Sequence, residues 1–137
     1  MKLLSMTNRS GSAFAALFAL AFLVFAATPS FAGTKIASGT FEGRSKHVTT
    51  GTVTIKREAG KTYAVLGSDF SLDGAPAPTL GFANGEKFDL ATEFTKLASK
   101  TGAQTYEIPA DIDPAKYDHF VVWCSKFAVP LGTAALK

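Results

Sequence analysis

This sequence predicts an all-β fold, an antiparallel β-sandwich or small barrel of about seven to ten short strands. Three observations lead there. Glycine, proline and the dipeptides Asp73-Gly74 and Asn84-Gly85 punctuate the chain about every eight to twelve residues. Between them, short segments alternate apolar with polar side chains at a period of two. No segment long enough for a full helix keeps a helical period.

The elements follow in order. Residues 1–32 read as a cleavable signal segment, and 33–137 as one β domain. Lys2 and Arg9 give a basic start, an uncharged apolar stretch runs from Ala13 to Ala27, and Ser30-Phe31-Ala32 offers small residues where a signal peptidase tests them. The apolar stretch is about 15 residues, short of the ~20 that span a bilayer, which favours cleavage over anchoring. A membrane role would come only through this segment if it stayed uncleaved. No cysteine lies near the cleavage point, which argues against lipid attachment there. These features place the mature protein in the periplasm or outside the cell.

In Gly51-Thr52-Val53-Thr54-Ile55-Lys56, β-branched apolar residues alternate with polar ones, as in a half-buried strand. Glu58-Ala59-Gly60-Lys61 turns the chain into Thr62-Tyr63-Ala64-Val65-Leu66, completing a hairpin. Asp69 before Phe70 reads as a turn former. Thr79-Leu80-Gly81-Phe82-Ala83 is a further strand, closed by Asn84-Gly85. Residues 88–100 predict a single helical turn or an irregular loop. Gln104-Thr105-Tyr106-Glu107-Ile108 alternates again, and Asp113 is placed to cap a short turn beginning at Pro114. Tyr106 and Tyr117 are expected half-buried with bonded hydroxyls. His119 to Cys124 is the densest apolar strand. Phe127-Ala128-Val129-Pro130-Leu131 follows, and its proline, lacking an N–H, places it at an edge or a bulge.

Charge excludes one class of function. The chain carries 14 basic and 11 acidic side chains. Without Lys2 and Arg9, 12 basic groups face 11 acids, and no basic run survives to track a phosphate backbone. Nucleic acid is therefore not an expected partner. The 105 residues from Gly33 onward are enough for one core without disulfides or metal.

Cys124 is the sole cysteine. Exported proteins use cysteine mostly in disulfide pairs, so three readings stand: a buried inert thiol, half of an intermolecular bridge, or a ligand or redox group. Phe120, Val122 and Cys124 share one strand face, and His119, Val121 and Trp123 the other. Both faces are apolar beyond His119, so one lines the core and the other must be covered. A blue copper site needs two histidines, a cysteine and a weak axial ligand. Only His47 and His119 are present, no methionine follows residue 6, and His119 falls on the face opposite Cys124, so no metal site is expected. Covalent haem attachment through Cys-x-x-Cys-His is absent, whereas axial thiolate ligation of haem needs one cysteine in an apolar cleft and stays open. A Cys124–His47 nucleophile pair lacks an orienting third group and an oxyanion loop. The plain readings are a core thiol for Cys124, a loop residue capping backbone groups for His47 and a core aromatic for Trp123.

Several pieces resemble the DM13 domain family. They are Gly39-Thr40-Phe41 with His47 leading into Gly51-Thr52-Val53-Thr54-Ile55; Asp69-Phe70; Gly102-Ala103-Gln104-Thr105-Tyr106-Glu107-Ile108-Pro109; Tyr117 through Val122-Trp123-Cys124 and Phe127; and Gly132, Ala134 and Leu136. Together they span about residues 36 to 136. One departure falls in Asp73-Gly74-Ala75-Pro76-Ala77-Pro78-Thr79-Leu80, where Pro78 or Thr79 stands at a position that is acidic in the family pattern. The resemblance implies a mostly β domain with an electron-transfer role centred on Cys124. It also suggests haem or another redox group as cofactor, Cys124, His47 and Trp123 as the residues around it, and a redox protein as partner. The competing reading is a ligand- or protein-binding β domain in which Cys124 merely packs.

Overall fold

On the strand Thr52–Glu58, Val53 and Ile55 are buried on one face, while on the other Thr52 is exposed and Thr54 and Lys56 are half-buried, the alternation its sequence prescribes. In the computed structural model, which describes residues 33–137, this strand is the third of eleven. The expected leader, residues 1–32, lies outside the described residues. The others are β1 (Thr34–Gly43), β2 (Thr49–Thr50), β4 (Lys61–Leu66), β5 (Ser71–Leu72), β6 (Pro78–Asn84) and β7 (Lys87–Asp89), then β8 (Thr95–Lys96), β9 (Gln104–Ile108), β10 (His119–Cys124) and β11 (Val129–Ala135), with β3 the strand already named. Single 3-10 turns at Leu90–Thr92 and Pro114–Lys116 are the helical elements among the described residues.

Every strand pairing among the described residues is antiparallel. One sheet runs β7-β6-β10-β11-β1-β3-β4-β9, with β8 also paired to β6, and curls into half a barrel; β2 and β5 form a separate small pair. The predicted fold class is therefore the one observed. The hairpin of β3 and β4 has the predicted two-residue turn, with Ala59 at φ 49° and Gly60 at φ 79°. Positive φ at both positions matches the right-handed strand twist. Asn84-Gly85 begins the β6–β7 turn, and Asp113 caps the turn at Pro114 by accepting from the Ala115 N–H. Pro130 pairs with Trp123 at the register shift between Val122 and Trp123, where Leu131 is the extra residue of β11. Of the two expected places for that segment, an edge or a bulge, it takes the bulge: β11 is an interior strand between β10 and β1.

β1 was not predicted. Its ten residues hold one buried side chain, Phe41, and so lack the apolar alternation that marks a strand. Pairing makes it one. Its first part lies against β3 and its last part against β11, so it joins the two halves of the sheet.

The concave face holds the core. Phe82 and Phe120 meet edge to face at 5.3 Å, Phe41 bridges Phe120 to Phe70, and Leu66, Leu80, Val122 and Leu131 fill between them. Each fully buried phenylalanine contributes about 1.5–3 kcal/mol, and an edge-to-face pair about another 1 kcal/mol. No helix among the described residues is long and apolar enough to cross a membrane.

Candidate functional site

Strand β10 decides where the predicted site residues go. Phe120, Val122 and Cys124 belong to the concave core cluster, and Cys124 is 1% exposed with a free thiol. It is the last residue of β10. Ser125, Lys126, Phe127 and Ala128 follow as a turn into β11, where Val129 pairs back with Cys124. The turn is open to solvent: Phe127 is 62% exposed, Lys126 Nζ lies 5.6 Å from its ring centre, and Ala128 takes φ 52°. The thiol is thus enclosed sideways by the core yet lies one residue from the surface along the chain.

Trp123 points the other way. Its indole stacks on Phe88 of β7, ring centres 4.2 Å apart and planes 8° from parallel. This is the cover that the second apolar face of β10 requires. It corrects the expectation of a core aromatic: Trp123 is half-buried on the convex face and outside the core cluster. Gly81 permits the arrangement, because a Cβ there would lie 2.7 Å from the Phe88 ring. On the same face are His119, whose Nδ1 is 2.6 Å from Asp118 Oδ1, and Val121, 1% exposed.

His47 lies in the loop between β1 and β2. Its Nδ1 is 2.9 Å from Asp73 Oδ1, and the other Asp73 oxygen accepts from the Val48 N–H at 3.0 Å. The Val48 N–H bond first, and the His47 bond second, hold the Asp73 carboxyl below its ordinary pKa. His47 thus takes a carboxylate partner in place of the expected backbone group. Asp69 is the turn former expected, its Oδ1 accepting from both the N–H and the hydroxyl of Thr52 at 3.1 Å. The Tyr117 hydroxyl donates to Asp89 Oδ2 at 2.7 Å, and that bond, with burial, raises its pKa. The Tyr106 hydroxyl donates to Gln104 Oε1 and accepts from the Ala98 N–H; burial raises its pKa.

Cys124, His47 and Trp123 therefore occupy three settings: the concave core, a surface loop and the convex face. Among the described residues, no three His, Cys, Asp or Glu side chains converge to hold a metal ion. Haem does not fit at Cys124 either. Axial ligation needs an open cleft beside the sulfur, and this one is packed among core side chains and lines none of the surface cavities described. Sequence reasoning missed Phe88 and Asp73. Phe88 stood in a segment read as loop or helical turn, and Asp73 is 26 positions from His47, a pairing no local pattern announces.

A family model described as Electron transfer DM13 matches residues 40–136. No curated protein and no solved structure gives a significant match.

Proposed function

The chain belongs to the DM13 electron-transfer family, which gives it a redox-related role, and from that premise we propose that it is a small exported redox module whose reactive group is the Cys124 thiol. The resting state keeps the sulfur closed, and opening of the turn at residues 125–128 exposes it to a partner protein. The observation that carries this reading is the place of the chain's one cysteine, buried at the final position of β10 beside a solvent-exposed turn. A local opening of four residues costs far less than unfolding the sheet. Once exposed, the thiolate is the nucleophile, attacking a partner's disulfide to form a mixed disulfide and release one partner thiolate. Free thiol chemistry fits better than cofactor ligation because the sulfur lacks the open cleft a haem would need. The sequence of residues 1–32 supports export, where a disulfide-bearing partner is available.

The second reading, a binding domain in which Cys124 only packs, draws on the same burial: at 1% exposure the thiol behaves as a small hydrophobe. Native-state reaction with an aromatic disulfide reagent, across low urea concentrations, separates the two. A rate nearly independent of urea means local opening and supports the redox module. A rate that climbs with the full denaturant dependence of global unfolding makes Cys124 a structural thiol.

A further inference from the structure

The convex face of the sheet carries a cavity of about 390 Å³ that the redox reading leaves unused. Its size lies near the lower end of small-molecule sites, which run from roughly 300 to 1,000 Å³. Val121 and Ala83 give it an apolar floor, and Phe88, braced from behind by Trp123, gives it an aromatic wall. Three charged or titratable side chains converge there: Arg44 from the loop after β1, Glu86 from the β6–β7 turn and His119 from β10.

His119 is held by a neighbouring carboxylate. Asp118 Oδ1 accepts from the Gly85 N–H at 2.8 Å and sits 2.6 Å from His119 Nδ1. In the neutral imidazole this carboxylate favours the proton on Nδ1 and leaves Nε2 as an acceptor. Arg44 has a loose surface partner, Glu42 at 3.3 Å, and so has donors to spare. Next to it Ser45 and Lys46 both take left-handed backbone, φ 54° and 65°, unusual for side-chain-bearing residues. The Glu86 carboxylate works against ligands with several negative charges.

We propose that this cavity binds a single-ring aromatic molecule bearing a hydroxyl group. The ring packs on Phe88, the hydroxyl donates its hydrogen bond to His119 Nε2, and the Arg44 guanidinium donates to the same oxygen. No proton or electron needs to transfer for binding. The site is independent of Cys124, which lies on the other face, so the redox reading and this one fail separately.

The test uses the whole chain and the matched pair 4-methylphenol and toluene, with benzoate as a third probe. Trp123 is the chain's single tryptophan and stacks on the cavity wall, so its fluorescence reports occupancy. Calorimetry provides an independent readout. Saturable binding of 4-methylphenol, at least about tenfold tighter than toluene or benzoate, is expected, because a site that pairs a hydroxyl discriminates strongly against its absence. His119→Ala should weaken 4-methylphenol about tenfold and leave toluene unchanged, and Arg44→Ala should weaken it severalfold. His119→Gln serves as the second variant should the alanine form not fold. No saturable binding to the parent protein, equal affinity for toluene, or tighter binding of benzoate would each overturn the proposal.

Discussion

Trp123 lies nearly parallel to Phe88, their ring centres 4.2 Å apart, above a backbone position that has no Cβ. The two come from different parts of the sheet, the strand that carries the cysteine and the hairpin that folds back over it. Their stack covers the Trp123 end of the convex side of β10, while the phenylalanine cluster covers the concave side. Gly81 lets the hairpin come that close. Gly81→Ala should force Phe88 aside and cost about 2 kcal/mol, as overpacking typically does. Urea unfolding measures the loss, and the near-ultraviolet dichroism of Trp123 should weaken with it. Unchanged stability and spectrum would mean that the hairpin is free to shift.

Cys124 can be assayed as a packing group apart from its chemistry. Cys124→Ala should cost about 1 kcal/mol, the small cavity being the main loss. Cys124→Ser should cost about 2 kcal/mol, because a hydroxyl enters an apolar site. Under the redox reading both variants also lose thiol exchange completely, although Cys124→Ala remains folded at ambient temperature. Equilibrium unfolding together with an exchange assay on the same preparations checks both halves.

Ala59 carries a backbone strain that a better turn residue would remove. It takes φ 49° in a two-residue hairpin turn where Asn-Gly is the favoured pair, and Gly60 already follows. Ala59→Asn should raise stability by about 1 kcal/mol, since asparagine visits the left-handed region more readily than alanine. Thermal and urea midpoints should both rise. A fall in either would show that the turn is held by contacts rather than by local preference.

Acid stability should depend on two surface carboxylates. The Val48 N–H bond, then the His47 bond, lowers the pKa of Asp73; the His119 bond, then the Gly85 N–H bond, lowers that of Asp118. A carboxyl with a lower pKa in the folded state binds fewer protons there than in the unfolded chain. Its stabilising contribution is complete above the ordinary value of 3.8 and drains away as the pH falls through the folded pKa. Urea midpoints should therefore hold steady down to about pH 4.5 and decline below about pH 4, with a shallower decline in Asp73→Asn and Asp118→Asn. Identical acid slopes in parent and variants would remove both groups from the account.

Much of the fold was legible because its hairpin and turns are local. The Val53–Ile55 alternation, the Glu58-to-Lys61 turn, Asn84-Gly85 and the Asp113-Pro114 cap each announce themselves within about six residues. β1 was hidden because its strand character comes from partners on both sides and not from its own pattern. The two faces of β10 were separated correctly, but both are apolar, so which one holds the core depends on where β7 folds. That Trp123 meets Phe88 and His47 meets Asp73 is settled by topology, which brings together residues 35 and 26 positions apart. The strand's end at Cys124 was legible, since Ser125 and Lys126 break the apolar run, but the burial of its thiol was not, because either face of β10 could have lined the core.

The arrangement of β1 bears on how the protein is made. Phe41, near the start of the described chain, pairs with Ala134, near its finish. While the ribosome is still working, the early strand has β3 on one flank and nothing on the other. The nascent sheet therefore cannot complete its pairing around β1 until its last strand emerges, which makes its closure a late, long-range step.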